Sequence, residues 1–329
     1  MTVLVTGGAG YIGSHMVWRL LDQGEDVVVL DRLSTGFHWA VPAEAELVVG
    51  DIADQELVEA TIRRRDVDAI IHFAGSIVVP DSVADPLGYY QNNTVKSRAL
   101  IESAVRSGVP HFIFSSTAAV YGTPSVSPVA ENAELKPESP YGTSKLMTEI
   151  MLRDTAAAHD LAYTVLRYFN VAGADPGLRA GQSTKGATHL IKVAAEAATG
   201  KRAGIDVYGT DYPTPDGTCV RDYIHVSDLV DAHALALARL RAGGGNLIAN
   251  CGYGTGYSVF EVIDAVKRVV GRDFEVRTGS RRPGDAISIV ADPSRARAEF
   301  GWQPRHADLD TIVAHAVQWE EHLRFLNAA

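Results

Sequence analysis

Along the first half of the chain, short unbroken apolar runs alternate with longer segments whose apolar residues return at helical spacing. "VLVTGG" precedes "YIGSHMVWRLLDQG" and "DVVVLD", and "AELVVGDI" leads through "DQELVEATIRRR" to "DAIIHFAG". "YYQNNTVKSRALIESAVRSG" then leads to "HFIFSS", and "SKLMTEIMLRDTAAAH" to "AYTVLRYFN". A strand covered on both faces reads as a continuous Val/Ile/Leu/Phe run, and crossover helices fall between such runs. The pattern predicts an α/β fold with a Rossmann-type doubly wound parallel sheet. After Asn170 the rhythm breaks. "VAGADPGLRAGQSTKG" is a Gly-rich connection longer than most in a compact domain, which marks a functional loop. "GTDYPTPDGT" and "GSRRPGD" punctuate the helix-like pieces beyond it. The predicted organisation is a sheet domain over 1–170, rejoined by 219–251, with a smaller C-terminal substrate-binding lobe from 171–218 and 252–329.

Composition narrows the partners. The chain has 329 residues, 46% hydrophobic and 21% charged, and a formal net charge of -10. That acidic balance gives no general attraction for nucleic acid or an anionic membrane, so an anionic ligand needs a local basic pocket. Cys219 and Cys251 have neither metal-ligand spacing nor a bridge framework, so a reducing cytoplasm and no metal are expected. The start "MTVLVTGGAG" is not a signal peptide, and no apolar run approaches a membrane span.

The strongest chemical signal opens the chain. Gly7-x-x-Gly10-x-x-Gly13 lies between a predicted strand and a predicted helix. Glycines let a pyrophosphate approach the backbone, and the helix start offers unpaired N–H groups and a positive dipole end. Alone, the triplet reads equally as an ordinary tight turn. Its flanking elements, and Asp31 at the end of "VVVLD", turn the reading toward a dinucleotide whose ribose hydroxyls bond a carboxylate. A carboxylate repels a 2′-phosphate, so Asp31 favours NAD over NADP, whereas Arg32 beside it is the residue type that holds such a phosphate.

In "SPYGTSK", Tyr141 and Lys145 stand at i and i+4, on one face of a helix that Ser139 caps and Pro140 begins. By itself this is an exposed Tyr with a solvated Lys. Behind a dinucleotide-binding start it becomes a base and its tuner. A phenol titrates near about 10, and a nearby ammonium with the positive nicotinamide ring favours phenolate. A hydroxyl partner is expected from the strand end "FIFSST", where Ser115, Ser116 and Thr117 are the candidates.

The glycine spacing and the Tyr–Lys pair together resemble the extended branch of the short-chain dehydrogenase/reductase superfamily. "TGGAGYIGSH", "GDI", "HFAG", "SSTAAVYG", "PYGTSK", "LRYFNVAGA", "DYPTPDGTCVRDYIHVSDL" and "RRPGD" are similar to the UDP-glucose 4-epimerase family over nearly the whole chain. "DGTCVRDYIHV" is the most family-specific of these. The resemblance implies catalytic Tyr141 and Lys145, with Thr117 as the hydroxyl on the reacting sugar oxygen. It implies NAD contacts at Gly7, Gly10, Tyr11, Ile12, Gly13, Asp31, Asp51, Ile52, Phe73, Ala74, Gly75, Asn92, Tyr141, Lys145 and Tyr168. It implies a UDP-hexose held by Thr117, Asn170, His189, Leu190, Tyr208, Arg221, Tyr223, Arg282 and Asp285, and a homodimer. The implied reaction oxidises the sugar at C4, turns the 4-keto sugar about its diphosphate and reduces the other face.

There are departures. Ile77 replaces a Lys that some members carry near the cofactor, and His189 replaces an Asn near the diphosphate. Ile289 stands where residue size is associated with acceptance of N-acetylated sugars. A UDP-N-acetylhexosamine, a UDP-uronate or a net oxidoreduction therefore stays open. A 4,6-dehydratase does not, because its acid–base pair would fall on Ala118 and Ala119.

Overall fold

Val3 and Val5 of the first strand belong to one hydrophobic layer and Leu4 to the other. The next strand repeats this, with Val27 and Val29 against Val28 and Leu30. Alternation with both faces apolar makes these strands central to a sheet covered on both sides.

The computed structural model describes residues 1–282 and 286–326. In chain order, β1 (Thr2–Thr6), α1 (Tyr11–Asp22), β2 (Asp26–Asp31), β3 (Glu46–Val49), α2 (Gln55–Arg65) and β4 (Val67–His72) build the first half of the sheet. Then come α3 (Val79–Ala84), α4 (Pro86–Tyr89), α5 (Lys96–Arg106), β5 (His111–Thr117), α6 (Pro140–Ala158) and β6 (Ala162–Tyr168). The C-terminal half adds β7 (Asn170–Ala172), α7 (Leu190–Ala198), β8 (Gly204–Tyr208), β9 (Val220–His225), α8 (Val226–Arg241) and β10 (Leu247–Cys251). It closes with β11 (Gly256–Ser258), α9 (Val259–Val270), β12 (Glu275–Gly279), β13 (Ser288–Ile289), α10 (Ser294–Phe300) and α11 (Leu309–Leu326).

The main sheet has seven parallel strands in the order β10-β6-β5-β4-β1-β2-β3. Strand order reverses between β1 and β4, so a crevice opens beyond their carboxyl ends. The segment 219–251 divides. Helix α8 packs on α1, and β10 pairs with β6, but β9 stays out of the main sheet. It pairs instead with β7, β11 and β13. Strands β8 and β12 form a separate two-stranded pair.

One expected helix is also irregular. A single helix was expected over "YYQNNTVKSRALIESAVRSG"; instead a π-helical turn, Tyr90–Val95, stands between α4 and α5. Such turns are rare and concentrate at functional sites.

Candidate active site

After β1 the chain turns sharply at Gly7, whose φ is 72°. A Cβ there would stand 2.7 Å from the backbone nitrogen of Ala74, just beyond β4. A Cβ on Gly13 would collide with the carbonyl of Gly7, so the start of α1 sits directly against the turn. Gly10 caps α1 without a side chain, which leaves the first N–H groups of the helix to a ligand. Asp31 closes one wall: its carboxylate accepts from Ala9 N (3.0 Å) and Leu33 N (2.7 Å). Arg32 turns away, donating to Ser34 Oγ at 3.0 Å and lying 3.8 Å from Asp51. The cradle thus presents a carboxylate rather than a guanidinium beside the turn, which fits NAD. Gly36 packs against Ala9 as a second lip, a residue that nothing in the local sequence singled out.

The opposite wall follows β4. Phe73 lies 5.0 Å, ring to ring, from buried His233, and Ala74 and Gly75 approach the glycine turn and Lys145 respectively. Asn92, in the π-helical turn, donates to Ser76 Oγ at 2.9 Å. Its neighbour Asn93 accepts from Ser76 N at 2.7 Å and donates to Ser144 Oγ at 3.0 Å. Asn93 thereby ties the loop after β4 to α6. Asp51 pairs with Lys96 on α5. Burial pushes the Asp51 carboxyl up, but the Lys96 hydrogen bond, the Ala53 amide and the charges of Lys96 and Arg32 together outweigh it and hold the group below its ordinary range. Ile52 contributes its side chain to the core, and Tyr11 donates its hydroxyl to Gly173 O at 2.7 Å.

The seam between β5 and α6 answers which hydroxyl stands where. Lys145 Nζ donates to the carbonyl of Ser115 at 3.0 Å, and Ser116 Oγ donates to Glu149. The Thr117 hydroxyl is the side chain that lowers the pKa of Tyr141 against the effect of burial. Tyr141, Lys145 and Glu149 follow one another at helical i, i+4, i+8 spacing, so consecutive residues of one strand end hold one face of one helix. The Ser115 hydroxyl lies 3.2 Å from His233 Nε2, and it opposes the burial that raises the Tyr168 pKa. Glu149 is buried and paired with buried Arg167 of β6, whose guanidinium also reaches Tyr121 at 3.0 Å.

In the polypeptide alone, burial opposes the expected tuning of the phenol. Desolvation dominates and pushes Tyr141 up to about 12, against the lowering hydrogen bond from Thr117. Burial lowers Lys145 to about 8, and the Glu149 carboxylate opposes that shift. The polypeptide alone therefore holds a neutral phenol beside an ammonium that is unusually easy to deprotonate.

Beyond the seam, Asn170, His189, Leu190 and Tyr223 line one cavity, together with Gln182 and Trp319. Arg221 lies on β9 two residues before Tyr223 and lowers the pKa of that phenol, although burial raises it on balance. Tyr208 and Arg282 form their own pair near the β8–β12 strands, with the guanidinium carbon 4.8 Å from the ring centre. Ile289 is buried against Ala118, Val120 and Phe169, whereas Ile77 is exposed. Asp285 lies outside the described residues. No group of acidic, His and Cys side chains able to hold a metal occurs among the described residues.

The model of the NAD dependent epimerase/dehydratase family matches residues 3–252. The chain belongs to that family. Its whole length is also similar to the family's UDP-glucose 4-epimerases. The Azospirillum brasilense enzyme is 56% identical over 98% of this chain and 92% of its own length. The Brucella ovis UDP-glucose 4-epimerase, solved in complex with NAD, superposes with a TM-score of 0.94 at 44% identity, covering 96% of this chain and 97% of that one. The Bifidobacterium longum UDP-glucose 4-epimerase, solved with NAD+ and UDP, gives 0.92 at 37% identity, covering 98% of each chain.

Proposed function

We propose that this chain is an NAD-dependent UDP-glucose 4-epimerase that interconverts UDP-glucose and UDP-galactose. The observation that carries the reading is the burial of Tyr141 at the carboxyl edge of the sheet beside Thr117, whose hydroxyl lowers its pKa against burial, with Lys145 one helical turn away and donating to the carbonyl of Ser115. The full-length likeness to UDP-glucose 4-epimerases supports the same reaction.

The glycine turn, Asp31 and the Phe73–Gly75 wall hold the dinucleotide, and Lys145 and Tyr168 flank its reactive end. When bound, NAD supplies a two-electron acceptor that takes a hydride and gives it back. Beside the positive nicotinamide ring and the Lys145 ammonium the phenol would ionise, and the phenolate Oη then takes the proton of the sugar 4-hydroxyl and later returns it, acting as base and then as acid. Thr117 fixes that oxygen within reach. Arg221 and Arg282 offer planar cationic forks for the diphosphate and offset the acidic chain. Tyr208 presents an aromatic face for uracil. The anchors belong to the nucleotide, so the hexose is free to turn between the two half-reactions.

Ala118 and Ala119 follow Thr117 in a 3-10 turn and carry no proton, which argues against dehydration. We further assign 1–170, α8 and β10 to the cofactor and the remainder to the sugar nucleotide. Exposed Val95, Met147 and Ile150 give the α5–α6 side an apolar character that suits a homodimer. The unpaired, buried Cys219 and Cys251 suit a reducing cytoplasm.

The test is conversion of UDP-galactose by purified protein without added cofactor. UDP-glucose should form with no net change in NADH. Absence of product, with NAD supplied or withheld, would sink the reading.

A further inference from the structure

The cavity beside β7 contains a hydrogen bond that the reaction as described does not use. Gln182 Nε2 lies 2.8 Å from His189 Nδ1. An amide nitrogen only donates, so Nδ1 is the acceptor and carries the lone pair. Burial lowers the His189 pKa, and its partner Gln182 is neutral, so the ring is uncharged. The one remaining ring proton then sits on Nε2. Among the described residues, no protein acceptor lies within hydrogen-bond distance of that nitrogen.

The loop that carries Gln182 is held in place beside α7. It returns on itself through the Ala174–Gly181 bridge. A Cβ on Gly181 would collide with the ring of Trp319, and Trp319 Nε1 donates to Ser183 Oγ at 3.1 Å. The next residue, Glu320, takes Lys192 of α7, the helix that His189 caps. Consecutive residues of α11 therefore set both sides of the pair, the loop bearing Gln182 and the helix behind His189. Gln182 itself is only 8% exposed.

We propose that Gln182 is a positioning residue which locks His189 as the Nε2–H tautomer, so that an uncharged N–H donor at the start of α7 faces the diphosphate of the sugar nucleotide. The inference rests on the UDP-sugar reading above. A histidine free to choose would place a lone pair on Nε2 part of the time and repel a phosphate oxygen. With Gln182 in place the ring behaves as an amide does, a neutral donor of fixed direction. Its contribution is binding shared by ground and transition states, which moves KM and leaves kcat alone.

A double-mutant cycle on the full-length, NAD-saturated protein tests this, with UDP as the calorimetric probe. Gln182→Ala should weaken UDP about three- to tenfold where His189 is present, the size of one hydrogen bond. In a His189→Asn background the same change should cost less than about twofold, because an Asn amide donates whatever its neighbour is. In turnover, Gln182→Ala should raise KM by the same factor and leave kcat within about twofold. Equal losses in both backgrounds, at unchanged melting temperature, would mean that Gln182 only packs the loop, and the proposal falls. Nitrogen-15 shifts of labelled histidine, assigned by the signal lost in His189→Asn, read the tautomer directly, and a proton found on Nδ1 overturns it. Were wild type not to bind UDP at all, the nucleotide-sugar reading would fail, and the histidine shifts would still decide the tautomer.

Discussion

The β5–α6 seam and the β8–β12 strand pair are both assigned to one ligand, yet they are built in opposite ways. In the seam the polar side chains are buried together: Tyr141 beside Thr117, Lys145 on the carbonyl of Ser115, Glu149 on Ser116 and Arg167. On the strand pair Tyr208 is 43% exposed, and the nearby Asp206–Arg277 and Asp211–Arg281 pairs stand at the surface. Proton transfer needs its atoms placed within a fraction of an ångström, which only an over-determined interior provides. Stacking on a base and neutralising a diphosphate tolerate looser geometry, so exposed side chains suffice. The contrast suits an enzyme that fixes its base and lets its substrate turn.

The largest expected break is at the phenol itself. Tyr141→Phe removes the hydroxyl assigned to carry the sugar's proton and should lower kcat by about 10²–10⁴-fold with little change in UDP affinity. Steady-state rates beside UDP calorimetry separate the two quantities, and a matching loss of affinity would show that the seam also binds.

Next is the buried ion pair beneath it. Glu149→Gln leaves Arg167 charged and buried, which typically costs about 3–5 kcal/mol of stability. Denaturant unfolding should show the loss, whereas Tyr208→Ala should stay within about 0.5 kcal/mol of wild type. If both variants unfold alike, the contrast between a rigid seam and a loose strip is wrong.

Acid should act through histidines behind the seam. Burial lowers His72 to about 3 and His233 to about 4, so both are neutral in the folded chain well below their ordinary pKa. The unfolded chain binds those protons near pH ~6.5, so stability is full above that pH and declines as pH falls toward the folded values. Each histidine contributes up to about 1.4 kcal/mol per pH unit across that window. Calorimetric melting between about pH 7 and about pH 5 should record a falling midpoint. A flat midpoint would mean that these rings are not held neutral.

The smallest effect belongs to the strip. Tyr208→Ala should weaken UDP by up to about tenfold and leave kcat nearly unchanged, in keeping with one aromatic stack. A drop in kcat without a change in UDP affinity would place Tyr208 in the chemistry instead.

Much of the fold was legible because its signals are local. The run of Val27 to Leu30, the glycine turn and Asp31 each depend on a few adjacent residues and a known period. Tyr141 and Lys145 were legible for the same reason, and the i+8 position of Glu149 was available to the same reading. Arg167 was not, since its partner is decided by β6 lying beside β5. Nor was the departure of β9 from the main sheet, because "VRDYIHV" has the pattern of either sheet. The desolvation of Tyr141 was not legible either: sequence spacing brings an ammonium near, but desolvation depends on everything packed around the ring.

Periodicity and backbone chemistry thus determined, from sequence alone, a doubly wound sheet that opens on a dinucleotide turn and carries a Tyr–Lys pair at its edge. Only the tertiary structure decided that Tyr141 is buried, that Glu149 and Arg167 pair beneath it, and which nitrogen of His189 faces Gln182. The first set follows from interactions between neighbours in the chain. The second follows from burial and from contacts between distant segments, such as the seating of Gly181 on the Trp319 ring, and no local pattern encodes those.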